Sequence, residues 1–158
     1  MVNLFFLNLT TLNFEEIFFK KISEKVLKEK EENFSLGLIL VGQDRIRKIN
    51  KRYRGKNQIT EVLSFPENEV RKPTKKDLQF IEPKEEKNKE EKNLGEILLC
   101  PSRIKKVSQR EKKDFKKELA FAFVHGLLHL LSYEHKDTAS TKKMRLKEKE
   151  IMEKLDIL

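Results

Sequence analysis

Short apolar runs alternate along this chain with longer stretches in which apolar residues recur every third or fourth position, a pattern that predicts strands interleaved with helices. Val2 to Thr10 reads as a strand. Asn13 followed by Glu16 resembles a capping box, and the helix it would open places Phe14, Ile17, Phe18, Ile22 and Val26 on its buried face. FSLGLILVG, Phe34 to Gly42, is apolar almost throughout and reads as a second, largely buried strand. A short helix from about Asp44 to Tyr53 turns Ile46, Ile49 and Tyr53 inward and Arg45, Arg47, Lys48, Lys51 and Arg52 outward, and Gly55 ends it.

TEVLSFP, Thr60 to Pro66, reads as a strand stopped by proline. Residues 67–93 form a charged loop in which DLQFIEP predicts a short strand and PKEEKNKEEKN a solvated tip. LGEILLC, Leu94 to Cys100, is the next strand, and Pro101 stands where a helix carrying Ile104 and Val107 begins. After Asp114, an N-cap residue, FKKELAFAFVHGLLHLL is polar at its start and apolar nearly all round beyond Leu119, the mark of a central buried helix. A last amphipathic helix, about Ser140 to Leu158, offers Met144, Ile151 and Leu155 to the core. This order predicts one α/β domain over residues 1–158, with a mixed sheet of about four strands, about five helices, and one helix crossing the sheet face.

Composition agrees with a globular domain. A chain of 158 residues buries roughly two thirds of its unfolded surface, so neither disulfide nor metal is needed merely to hold it together. Charged residues make up 39% against 37% hydrophobic, but the periodic clustering of the apolar ones excludes a disordered chain. The formal net charge of +9 favours a polyanionic partner, nucleic acid rather than membrane, although a basic surface also serves solubility alone. The lone Cys100 excludes an internal disulfide and suits a small core position in a reducing compartment. The apolar start lacks the basic region of a signal peptide and is interrupted by Asn3, Asn8, Glu15 and Glu16, and no apolar run is long enough to span a bilayer. A soluble cytoplasmic protein is expected.

All three histidines fall within HGLLHLLSYEH. His125 and His129 are one helical turn apart, so both imidazoles leave one face and can reach a common ion at the roughly 2.0–2.1 Å that zinc requires. His135 could join them only if the chain turned, since a continued helix would carry it about 9 Å further along the axis. LSY supplies the turn, with Ser132 in the left-handed position that glycine normally fills, at a cost of roughly 1 kcal/mol. Taken singly, each histidine is an ordinary core or surface residue. Taken together, His125, His129 and His135 predict a site for one divalent metal, most simply zinc, with a fourth position left for water. The same spacing occurs in zinc proteases, but those carry glutamate directly after the first histidine as general base, and here Gly126 stands there. A phosphodiester is the more natural substrate, because zinc itself brings bound water to a pKa of about 7.

Three blocks together resemble the YbeY endoribonucleases, bacterial ribosomal RNA maturation factors with a zincin-like metal-site helix. They are NKRYRGKNQITEVLSFP (Asn50 to Pro66), LGEILLC, and HGLLHLLSYEH followed by Met144 and EIM, Glu150 to Met152. The resemblance implies a zinc-dependent, single-strand-preferring endoribonuclease acting in ribosomal RNA maturation and ribosome quality control, with ribosomal RNA and the ribosome as partners. It makes the three histidines the zinc ligands and Arg54 the active-site arginine, which a guanidinium's bidentate grip on phosphate also favours. Lys56 is a candidate second phosphate contact. Ser132, Glu134, Glu61 and Glu96 depart from the family pattern, and Glu134 and Glu96 keep a carboxylate that could orient a ligand imidazole. Two rivals stand beside this reading: a non-catalytic, zinc-containing ribosome assembly factor, and a zinc peptidase.

Overall fold

The apolar runs become a four-stranded sheet with helices on both faces. A computed structural model describes residues 1–28, 30–78, 90–133 and 137–155. In chain order these form β1 (Val2–Asn8), α1 (Glu16–Leu27), β2 (Asn33–Leu40), α2 (Gln43–Arg54), β3 (Val62–Pro66), α3 (Lys75–Leu78), β4 (Glu91–Leu99), α4 (Pro101–Arg110), α5 (Phe115–Leu130) and α6 (Thr138–Leu155). The sheet order is β1-β2-β4-β3. β1, β2 and β4 run parallel, and β3 is antiparallel to β4.

Strand alternation explains why the two central strands are apolar throughout. Phe34, Leu36, Leu38 and Leu40 of β2 and Ile97 and Leu99 of β4 enter the main core, which α1, α5 and α6 close. Ile39 of β2 and Leu98 of β4 face the other way, with Val41 and Cys100 just beyond each strand, under Ile46 and Ile49 of α2. Cys100 is thus a fully buried core residue. This is the α/β architecture with a four-stranded mixed sheet that the pattern predicts. Among the described residues, no helix is long and apolar enough to cross a membrane.

The ends of α5 place the histidines. Asp114 caps its start, its side chain accepting from the backbone N–H of Lys117 at 3.0 Å. At its end Ser132 takes φ 73°, the Ser132 N–H donates to the His129 carbonyl, and the Tyr133 N–H to that of Leu128. This is the left-handed stop that satisfies the orphan carbonyls and turns the chain after Leu131.

Three local expectations are corrected. Asn13 opens no capping box: α1 starts at Glu16 and its N-cap residue Glu15 makes no side-chain cap bond; Phe14, Phe18, Ile22 and Val26 pack on the core as expected, but the most deeply buried residues are Phe19, Ile22, Ser23 and Leu27. Packing of Phe19 edge-on against Phe123, with centroids 5.3 Å apart, centres the buried face there and leaves Ile17 exposed. Asp77 and Leu78, expected to begin a strand, lie in α3, because Thr74 and Asp77 exchange side-chain to backbone bonds at 3.0 and 3.2 Å that nucleate a helical turn. The rest of DLQFIEP lies outside the described residues. β4 begins at Glu91 rather than Leu94, since Glu91 to Asn93 pair with Asn33 to Ser35 of β2.

Candidate functional site

From Leu119 to Leu130 every residue of α5 is buried except Phe121, His125 and His129. Spaced by four, these three form one stripe along the helix, the side that the core leaves open over this stretch. The two imidazoles converge: their Nε2 atoms are 3.1 Å apart and their ring centroids 4.6 Å. Two nitrogens held about 2.0–2.1 Å from one tetrahedral ion would lie roughly 3.3 Å apart, so the pair fits a shared zinc with almost no movement. Imidazole donors also suit that metal.

The orientation of His125 is set from α6. Glu148 accepts from its Nδ1 at 2.6 Å, and Glu148 is only 4% exposed. A carboxylate so buried needs a donor, and an ionised one can only accept. His125 therefore carries its proton on Nδ1 and presents the Nε2 lone pair toward His129, the tautomer a metal ligand requires. His135 and Glu134 lie outside the described residues. Among the described residues no group of three or more His, Cys, Asp or Glu is placed to hold an ion.

Gly126 explains the close seating of α5. A Cβ there would meet Ile97 Cγ2 at 3.0 Å and Val62 Cγ2 at 3.2 Å. The position after the first histidine thus faces the sheet, where a side chain would have to push aside Ile97 and Val62. Glu96, considered as a carboxylate for a ligand imidazole, precedes Ile97 and by strand alternation points to the sheet face away from α5.

Opposite the histidines, α2 ends with Arg54, and Gly55 at φ 70° stops the helix. The loop after it is pinned by Lys56 N–H to the Asn50 carbonyl and by Asn50 Nδ2 to the Gln58 carbonyl. Arg54 Cζ lies 4.4 Å from the centroid of the Phe65 ring. Its Nη2 donates to the Ser64 carbonyl at 2.8 Å and to Glu69 Oε2 at 3.0 Å, while Nη1 donates to Glu69 Oε1. Three of the five guanidinium donors are thereby engaged, leaving two. Arg54, Lys56, Ser64, Glu69, His125 and His129 all line one open groove of about 760 Å³.

The groove thus unites four of the candidate residues, Arg54, Lys56, His125 and His129. Two further residues escaped the sequence reading. Glu148 had a legible signal, a charge inside the buried stripe Met144, Glu148, Ile151 and Leu155 of α6. Glu69 had none, since its tie to Arg54 is made only by the fold. Beside the groove, Glu61 is partly buried; burial raises its pKa, Glu118 adds to the rise, and Arg103 opposes it.

A family model described as endoribonuclease YbeY matches residues 7–156. An endoribonuclease YbeY from a Thermoanaerobacter species is 34% identical over 148 residues, covering 92% of this chain and 90% of the relative. One from Buchnera aphidicola is 36% identical over 138 residues, covering 87% and 72%. The fold is similar to a Thermotoga maritima protein solved in solution, with a TM-score of 0.61 at 25% identity over 98% of this chain and 89% of that one.

Proposed function

The chain belongs to the YbeY family of endoribonucleases, and from that premise we propose that it cleaves single-stranded ribosomal RNA at a zinc site held by His125, His129 and His135. Its place is ribosomal RNA maturation and ribosome quality control in the cytoplasm. The observation that carries the reading is the approach of two Nε2 atoms to 3.1 Å in a groove that Arg54 and Lys56 also line. When bound, zinc supplies Lewis acidity toward a phosphoryl oxygen or water.

The chain's own residues do the positioning. Glu148 holds His125 in the ligating tautomer. Glu69, Ser64 and Phe65 fix the guanidinium plane of Arg54, whose positive charge lines the groove and stabilises charge as it builds on the scissile phosphate. Lys56, exposed in the same groove, adds a point charge to the neighbouring phosphate. Gly126, pressed against Ile97 and Val62, supplies no proton shuttle, which favours phosphodiester over peptide chemistry.

The test is metal analysis of the purified protein alongside cleavage of a single-stranded oligoribonucleotide by wild type, His125→Ala, His129→Ala and Arg54→Ala. Metal and cleavage should be lost together in the histidine variants. Arg54→Ala should bind RNA but fail to cut it. Undiminished cleavage after chelation would overturn the metal mechanism, and RNA binding without cleavage by the metal-loaded wild type would leave an assembly factor.

A further inference from the structure

The open stripe of α5 holds one residue that the reaction has not used. Phe121 is 39% exposed on a helix whose other apolar residues beyond Leu119 are buried. It stands one turn before His125, roughly 6 Å along the axis. Around it lies a second hollow of about 430 Å³, lined among others by Glu61, Arg103, Val107, Arg110, Phe121 and His125. Ile59, Thr60, Val62 and His125 line both this hollow and the main groove, so the two are lobes of one channel that meet at the histidine.

Arg103, Val107 and Arg110 are spaced along one face of α4, so both guanidiniums border this lobe. Neither makes a side-chain hydrogen bond or ion pair with the described residues. Glu61 is the lobe's single carboxylate among the described residues; it favours the edge of a base over a phosphate. An open aromatic face flanked by cations is the arrangement that binds a single strand without reading its sequence.

We propose that this lobe is a nucleotide subsite, in which Phe121 stacks a base next to the scissile phosphate and Arg103 and Arg110 receive the phosphates beyond it. The proposal rests on the endoribonuclease reading and extends it. It makes the single-strand preference a property of the protein surface, since a base can lie on Phe121 only when it is not stacked in a duplex.

The probes are cleavage-resistant 2′-O-methyl oligoribonucleotides with 2-aminopurine moved along the strand, bound to full-length wild type, Phe121→Leu and Arg110→Gln. Thermal unfolding of each variant confirms the fold. Wild type should quench 2-aminopurine at one position. Phe121→Leu should lose that quenching and bind about five- to 150-fold more weakly. Arg110→Gln should lower the slope of log affinity against log salt by about 0.7, one phosphate's worth on a single strand. Wild-type quenching and affinity in Phe121→Leu would overturn the subsite while leaving the nuclease reading intact. If that variant also lost co-sedimentation with ribosomes, the face would be assigned to protein docking. Wild type that neither binds nor cuts RNA would instead overturn the underlying reading.

Discussion

Glu148 and His125, on α6 and α5, are joined by a 2.6 Å hydrogen bond that ties a helix after the HGLLHLLSYEH block to the metal-site candidate within it. Because the bond fixes the imidazole tautomer, Glu148→Gln should bind zinc about 10- to 100-fold more weakly, by competition with a chromophoric chelator. The fold should survive, as the amide oxygen can still accept from Nδ1. Unchanged zinc affinity would remove Glu148 from the site.

Arg54 and Glu69 form a second such pair. Arg54→Lys cannot reproduce the fork and should lower kcat about 100- to 1000-fold in single-turnover cleavage. Glu69→Gln keeps the geometry but weakens the hold on the guanidinium, and a smaller loss, about tenfold, is expected. Faster cleavage by Glu69→Gln would show that the carboxylate competes with phosphate instead of positioning its partner.

Glu61 predicts a pH dependence of stability. Burial raises its pKa in the folded chain above the ordinary value of 4.5, so its ionisation costs folding an amount that grows as pH rises above 4.5 and is complete above the raised value. Glu61→Gln should therefore be the more stable protein near neutrality, with the difference closing as pH falls and absent below 4.5. Since the side chain is only partly buried, the gain should be small, about 1–2 °C in Tm. A gap that widened on acidification would contradict the assignment.

Ser132 bears a φ of 73° that glycine adopts without strain. Ser132→Gly should stabilise by about 0.5–1 kcal/mol, raising Tm by roughly 1–4 °C in calorimetry. A lower Tm would mean that the serine hydroxyl compensates its backbone.

Local patterns made much of this legible. β2 and β4 announced two-sided burial by their continuous apolar runs, and α5 announced its central place by lacking a polar face. The spacing of His125 and His129 implied convergence, and the turn at Ser132 followed from the need to redirect the chain. Where two local signals competed, pattern reading failed. The apolar letters of DLQFIEP suggested a strand, yet the reciprocal Thr74–Asp77 bonds start a helical turn. Asn13 and Glu16 had the right spacing for a cap, but the helix starts only at Glu16, and the contact of Phe19 with Phe123 centres the buried face so that Ile17 is left outside it. Glu148 could be found only by asking why a carboxylate interrupts an apolar stripe, and Glu69 only from the fold.

The bond from Arg54 to the Ser64 carbonyl has a consequence for the margin of the sheet. Among the described residues β3 has a neighbour on one side only. Cys100 N–H to the Glu61 carbonyl and Glu67 N–H to the Leu94 carbonyl show that its odd-numbered residues direct their hydrogen bonds at β4. Ser64 and Pro66 therefore turn their main chain outward. Arg54 already occupies the first carbonyl, and proline has no N–H to offer at the second. An extended polypeptide laid along this edge would find its ladder interrupted at both residues, once by a guanidinium and once by a proline, so the pair guards this margin against strand addition.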